Sequence, residues 1–177
     1  MVIWSTGLSG SGKTTLAVAL RDILKPQLPH TVLIDGDVIR DAFGESLGYA
    51  EPDRVIQINR IQRLAKILAD QGLIVIVAAL YSHPDLLAWN RKNLSEYFEI
   101  YLKASQDLLH RRDQKNLYSM AKKGETKNVV GIDIPWHAPQ APDLIFKADE
   151  EAQPQQMAQR VIAENSALMA IINPSTE

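Results

Sequence analysis

The segment Gly7-Leu8-Ser9-Gly10-Ser11-Gly12-Lys13-Thr14 matches G-x-x-x-x-G-K-[ST], and each residue type in it has a chemical use. The glycines let the backbone curl so that its N–H groups point at phosphate oxygens. A helix opening at Lys13 adds its positive N-terminal end. Lys13 can bridge β- and γ-phosphates, and the Thr14 hydroxyl can ligate Mg²⁺. At ordinary residue frequencies a chance match in a chain this long is about 1 in 200, so phosphate binding outweighs a coincidental glycine-rich turn. A second constellation, Asp35-Gly36-Asp37, follows a short apolar run. In an α/β fold, ligands sit beyond the carboxyl ends of strands, so both carboxylates would face the phosphate loop. One can hold a Mg²⁺ water and the other can accept the proton of an attacking hydroxyl. An Asp-Gly turn with no chemistry is common, and only the neighbouring phosphate loop outweighs it.

Arg40 lies one helical turn beyond Asp37, on the same side, and Arg54 opens a long helix. An anionic acceptor needs such arginines. The apolar segment Leu73 to Leu80 carries no acid, so Asp35 and Asp37 would have to take over the metal role usually given to an aspartate there. A GTPase would carry an Asn-Lys-x-Asp guanine reader, and the nearest segment, Glu125-Thr126-Lys127-Asn128, is not that pattern. A motor or transporter ATPase would be longer. Small size and a long loop favour a small-molecule kinase. The rival from another class is a catalytically silent ATP-binding module, and Asp37 beside an intact donor loop argues against it.

The elements that must position these groups alternate. Val2 to Thr6 reads as a buried strand, and Lys13 onward as a helix ended by Pro26 and Pro29. Thr31 to Ile34 is a second strand, and Val38 to Phe43 a short helix. Asp53 is the expected N-cap of a helix reaching Gln71, with Gly72 as its stop. Leu73 to Leu80 is apolar throughout, as in a strand covered on both faces. Helices follow at Pro84 to Leu94 and Ser105 to Ala121, and strands at Tyr97 to Leu102 and Leu144 to Phe146. Gly124 to Pro142 is a long polar loop rich in Gly and Pro, a length that is usually functional. Pro154 to Ile172 closes the chain as one helix. The alternation predicts a parallel α/β sheet in one domain over 1–177.

Composition agrees. Of 177 residues 46% are hydrophobic and 23% charged, the net charge is −2, and there is no cysteine. That argues against disorder, a disulfide scaffold, a thiolate metal site and a basic surface for nucleic acid. The longest apolar run, Leu73 to Tyr81, is nine residues, about half a membrane span. With no leader pattern, a cytoplasmic protein is expected. His30, His83, His110 and His137 show no metal-ligand spacing, although His83 lies near the expected acceptor side. Trp4 reads as core, Trp89 as packing, and Trp136 as a candidate base stacker in the long loop.

These motifs resemble the adenylylsulfate (APS) kinase family from about Val2 to Asp143. The pieces are the phosphate loop through Thr15, Asp35-Gly36-Asp37-Val38-Ile39-Arg40, Leu47-Gly48-Tyr49 leading to Asp53-Arg54, Arg112-Asp113-Gln114-Lys115-Asn116-Leu117-Tyr118, and Gly131-Ile132-Asp133. The resemblance implies the P-loop nucleoside-triphosphate hydrolase/kinase fold. It implies transfer of the ATP γ-phosphate to the ribose 3′-hydroxyl of APS, giving PAPS and ADP in sulfate assimilation, with Mg²⁺ as cofactor. It places Asp37 at the acceptor hydroxyl, Asp35 and Thr14 at the metal, and Arg112 with Gly7 to Thr15 on ATP. Tyr49, Gln57, Lys115, Leu117, Val129, Gly131, Ile132 and Asp133 join Arg40 and Arg54 around the acceptor. A lid starts at about Lys115, closes through Asp133 and ends near Pro142. A homodimer is an expectation of the resemblance alone.

The departures fall on the acceptor side. The family's Phe-Thr-Gly-Ile-Asp is here Val129-Val130-Gly131-Ile132-Asp133, and its opposing Phe is Tyr49. Its Asn-Ile-Arg-Arg is Gln57-Ile58-Asn59-Arg60, and its Ile-Ser-Pro-Tyr is rewritten as Leu80-Tyr81-Ser82-His83-Pro84. Val129 and the Tyr81 to Asn90 segment also resemble kinases of a cytidine nucleotide, such as cytidine diphosphoramidate in surface-polysaccharide modification. APS stands as the first acceptor and another nucleotide as the second.

Overall fold

The computed structural model describes residues 1–44, 47–113, 116–150 and 153–174. Its centre is a five-stranded parallel sheet of β1 (Val2–Thr6), β2 (Thr31–Asp35), β3 (Ile74–Ala78), β4 (Tyr97–Lys103) and β5 (Leu144–Lys147). The strand order is β2-β3-β1-β4-β5. Val2 pairs with Val75 on one side and Tyr97 on the other, so the first strand is the middle of the sheet.

Alternation along the strands builds two apolar layers. Val2, Trp4, Val75 and Val77 face α3 (Glu51–Asp70) and α4 (Pro84–Asn93), where Ile58, Ile61, Ala65 and Leu86 meet them. Ile3, Ile74, Ile76 and Ile100 face α1 (Lys13–Leu24), α7 (Pro154–Glu164) and α8 (Ser166–Ile172). Every residue of β3 is buried, which is why its sequence shows no alternation. Trp4, 1% exposed, is core as expected.

Several element boundaries differ from the sequence reading, each for a local reason. The short helix α2 (Gly36–Ala42) starts earlier because the Asp35 carboxylate accepts from the Asp37 amide and caps it. The long helix α3 is not capped by Asp53. It starts at Glu51 behind Ala50, with Pro52 in its first turn, where a missing N–H costs nothing. Asp53 sits inside that turn and complements the helix dipole instead. The expected helix from Ser105 to Ala121 divides into α5 (Gln106–Arg111) and α6 (Leu117–Lys122), with Asn116 in a left-handed conformation between them. The closing helix divides at Asn165, whose side chain accepts from the Leu168 amide and caps α8. Among the described residues no helix is long and apolar enough to cross a membrane.

Candidate active site

The carboxyl ends of the parallel strands open into one cleft of about 1640 Å³. Its floor is the loop between β1 and α1. Gly7 passes so close to β4 that a Cβ there would lie 2.6 Å from the Leu102 carbonyl oxygen. Gly12 caps α1 at φ 100°, a conformation that side chains disfavour, and this lets the chain turn from loop to helix in one step. Ser9 to Thr15 line the cleft, while Gly7 and Leu8 lie behind them as its support.

Four groups meet at the loop's end. Lys13 Nζ donates to the Leu8 carbonyl at 2.9 Å. Burial lowers its pKa to about 8, against the pull of Asp37 and then Asp35. The Thr14 hydroxyl donates to Asp35 Oδ2 at 2.7 Å, and Asp35 Oδ1 accepts from the Asp37 amide at 2.9 Å. A magnesium ion takes oxygen ligands, and this hydroxyl–carboxylate pair beside a phosphate-binding loop is a donor set that fits it.

The side wall beyond Asp37 is cationic and aromatic. Arg40 stands 4.7 Å over the Tyr49 ring and donates to the Leu47 and Gly48 carbonyls. Arg54 lies 5.6 Å from the same ring and donates to the Tyr49 carbonyl and, at 2.7 Å, to the Asn128 carbonyl. Burial, and then the like charge of Arg40, hold the Arg54 pKa below its ordinary value. Two guanidiniums that disfavour each other across one exposed ring are arranged for an anion. Gln57 Nε2 donates to the Gly36 carbonyl, while its buried Oε1 has no protein partner and borders the cleft.

Other expected residues divide. Arg112, Leu117 and Val129 line the cleft. Gly131, Ile132 and Asp133 do not reach its wall. The Asp133 carboxylate instead accepts from the Asn128 and Val129 amides at 2.5 Å each, holding the turn behind the wall. Lys115 lies outside the described residues. Trp136 is not at the cleft, because its indole N–H donates to the Tyr101 hydroxyl at 3.4 Å and the two rings pack together. His83 is likewise occupied: its Nδ1 accepts from the Asp85 amide and caps α4, with His137 edge-on at 5.0 Å. Trp89 packs under Arg63.

Two stretches were missed. Lys147, Ala148 and Glu150, with Gln153, Met157 and Arg160, line the cleft as Arg112 does, and the rule that ligands gather at strand carboxyl ends applies to β5 as well. Glu51 accepts from the Tyr81 hydroxyl at 2.6 Å, fixing the end of β3 to the start of α3. Nothing in the local sequence marks that pair.

Residues 1–147 match the protein family described as adenylylsulphate kinase. The chain is 41% identical over 160 residues to the adenylyl-sulfate kinase of Vibrio cholerae, covering 89% of this chain and 74% of that one. It is 40% identical over 145 residues to the cytidine diphosphoramidate kinase of Campylobacter jejuni, covering 82% and 84%. The structure superposes on the Mycobacterium tuberculosis APS kinase CysC in complex with AMPPNP and APS with a TM-score of 0.84. That match has 32% identity and covers 92% of this chain and 95% of that one.

Proposed function

The chain belongs to the adenylylsulphate kinase family, and from that premise we propose that it transfers the γ-phosphate of ATP to the ribose 3′-hydroxyl of adenylylsulfate. The observation that carries the reading is one cleft in which Asp37 stands between a phosphate loop and the Arg40–Arg54 pair. Kinases of this kind act mainly by positioning and by neutralising charge. Lys13 and the loop amides hold the donor phosphates. Arg40 and Arg54 hold the anionic end of the acceptor, and Tyr49 offers a face to its base. Asp37 orients the 3′-hydroxyl and takes its proton as the oxygen attacks the γ-phosphorus. The bond from that phosphorus to the β-bridging oxygen breaks, releasing ADP. Mg²⁺, held by Thr14 and Asp35, would neutralise phosphate charge when bound. Leu117 and the Val129–Asp133 turn belong to the lid that shuts water out.

A second acceptor is favoured by one observation. Val129 stands where the resembled family carries a stacking phenylalanine, so the base loses one aromatic face, and a base–aromatic stack is worth about 1–3 kcal/mol. A cytidine diphosphate carrying an amidate is that second reading, in line with the Campylobacter jejuni relative.

ADP release from Mg·ATP, compared across APS and a panel of cytidine and adenosine nucleotides, separates the two. Saturable turnover with APS supports the first reading. Weak turnover with APS beside strong turnover with a cytidine diphosphate derivative replaces it with the second. ATP binding with no turnover on any acceptor sinks both.

A further inference from the structure

Tyr118 carries no charge and no evident chemistry, yet it joins the lid to the phosphate loop. The side chain is 1% exposed, and its hydroxyl donates to the Ser9 carbonyl at 2.9 Å. Burial pushes the phenol pKa up to about 12, so it remains a donor across the working range. A trans peptide sets its C=O and N–H in opposite directions, so holding the Ser9 carbonyl also fixes where the Gly10 N–H points.

Tyr118 is itself held from behind. The Asp113 carboxylate accepts from the Tyr118 amide at 3.3 Å and from the Ser119 amide and hydroxyl at 3.0 Å each. The His110 ring meets the phenol edge-on at 5.7 Å. Beyond α6 the chain returns to the cleft at Thr126–Val129. There the Asn128 carbonyl accepts from Arg54, which also donates to the Tyr49 carbonyl. A second contact backs the first: a Cβ on Gly131 would lie 3.1 Å from Leu8. The phosphate loop, α6, the 126–129 wall and the acceptor arginine are therefore contiguous.

We propose that Tyr118 is a positioning residue that couples the two substrate sites, transmitting the arrangement of the phosphate loop through the lid to Arg54. The inference rests on the donor and acceptor sites proposed above. Coupling between sites is a free energy, so it is measured as the factor by which one ligand tightens the other.

The experiment measures the Kd of APS by calorimetry, with and without saturating Mg·AMPPNP, for the wild type and for Tyr118→Phe. That substitution keeps the ring and removes the bond. The expected result is that AMPPNP tightens APS binding in the wild type and that Y118F reduces the factor about fivefold, the effect of one buried hydrogen bond. APS affinity without donor stays unchanged. A residue with only a packing role would leave the factor intact, and equal factors in the two proteins overturn the proposal, as does a wild-type factor of one. Amide hydrogen exchange covers the case in which Y118F does not fold. AMPPNP alone must slow exchange across Tyr118–Val129 in the wild type, and no slowing overturns the proposal. If APS does not bind the wild type, the acceptor assignment fails and the same factor is read with the cytidine nucleotide that supports turnover, where equal factors in the wild type and Y118F overturn the coupling.

Discussion

Asp37 and Lys13 line the same cleft and interact electrostatically, and their effects should still separate cleanly. Replacing Asp37 with Ala removes the group proposed to orient and deprotonate the acceptor hydroxyl, a contribution of about 10²–10⁴ in rate. We expect D37A to lose that much kcat in a coupled ADP assay while ATP binds within about twofold of wild type, since Asp37 is not part of the phosphate loop. Lys13 carries a pH signature. Its ammonium must be protonated to hold phosphates, and burial has brought its pKa from 10.5 to about 8. Donor affinity of the free enzyme should be level below pH 7 and should fall as pH rises through 8. Calorimetric titration of Mg·AMPPNP from pH 6.5 to 9.5 reads this directly, and affinity that stays level to pH 9.5 would refute it. At this scale the sequence was most legible. The phosphate loop, Asp35, Asp37, Arg40 and Arg54 are fixed by spacing within short segments. Asp133 and Trp136 have partners, the 128–129 amides and the Tyr101 hydroxyl, that spacing does not encode.

At the scale of elements, α4 and the strand edge below it show what sequence could not announce. Arg91 donates to the Ala141 carbonyl at 2.6 Å and pairs with Asp143 at 2.9 Å. Asp143 in turn accepts from the Glu99 amide and leaves the largely buried Glu99 carboxylate 3.7 Å from the same guanidinium. Burial raises the Glu99 pKa. A carboxyl raised in this way contributes stability below its unfolded pKa and loses it as pH climbs through the folded value. Arg91→Ala strips the cation that tolerates the ionised form. The partly exposed Arg91–Asp143 pair adds little by itself, so the cost comes mainly from the carbonyl and the Glu99 charge left behind. At pH 7 we expect a fall in Tm of about 3–6 °C, shrinking as pH falls toward the range where Glu99 is protonated. Thermal melts at several pH values check it. The helix boundaries misread from sequence have the same origin. Asp35, Pro52 and Asn165 act through caps and first-turn geometry, whereas periodicity locates only the body of a helix.

At the scale of the whole molecule, the cleft gathers the ends of all five strands' connections, from Ser9 to Arg160. A ligand in it reaches segments that follow each of the five strands and should stabilise the fold as a unit. At a hundred times its Kd, Mg·AMPPNP adds about 2.7 kcal/mol, a rise in Tm of about 5–11 °C. Asp37→Ala should show the same rise, and a shift confined to the wild type would place Asp37 in donor binding instead. The α/β class was readable because alternating strands and helices admit few topologies. The strand order was not, since no local signal says that β1 lies between β3 and β4. That order has a consequence for how the chain is made. Of the five strands the central one is made first, and both its partners come much later, at Ile74–Ala78 and Tyr97–Lys103. Until then an apolar strand waits with both edges unpaired, so folding is bound to long-range closure and a nascent chain stopped before Lys103 is the form most exposed to aggregation.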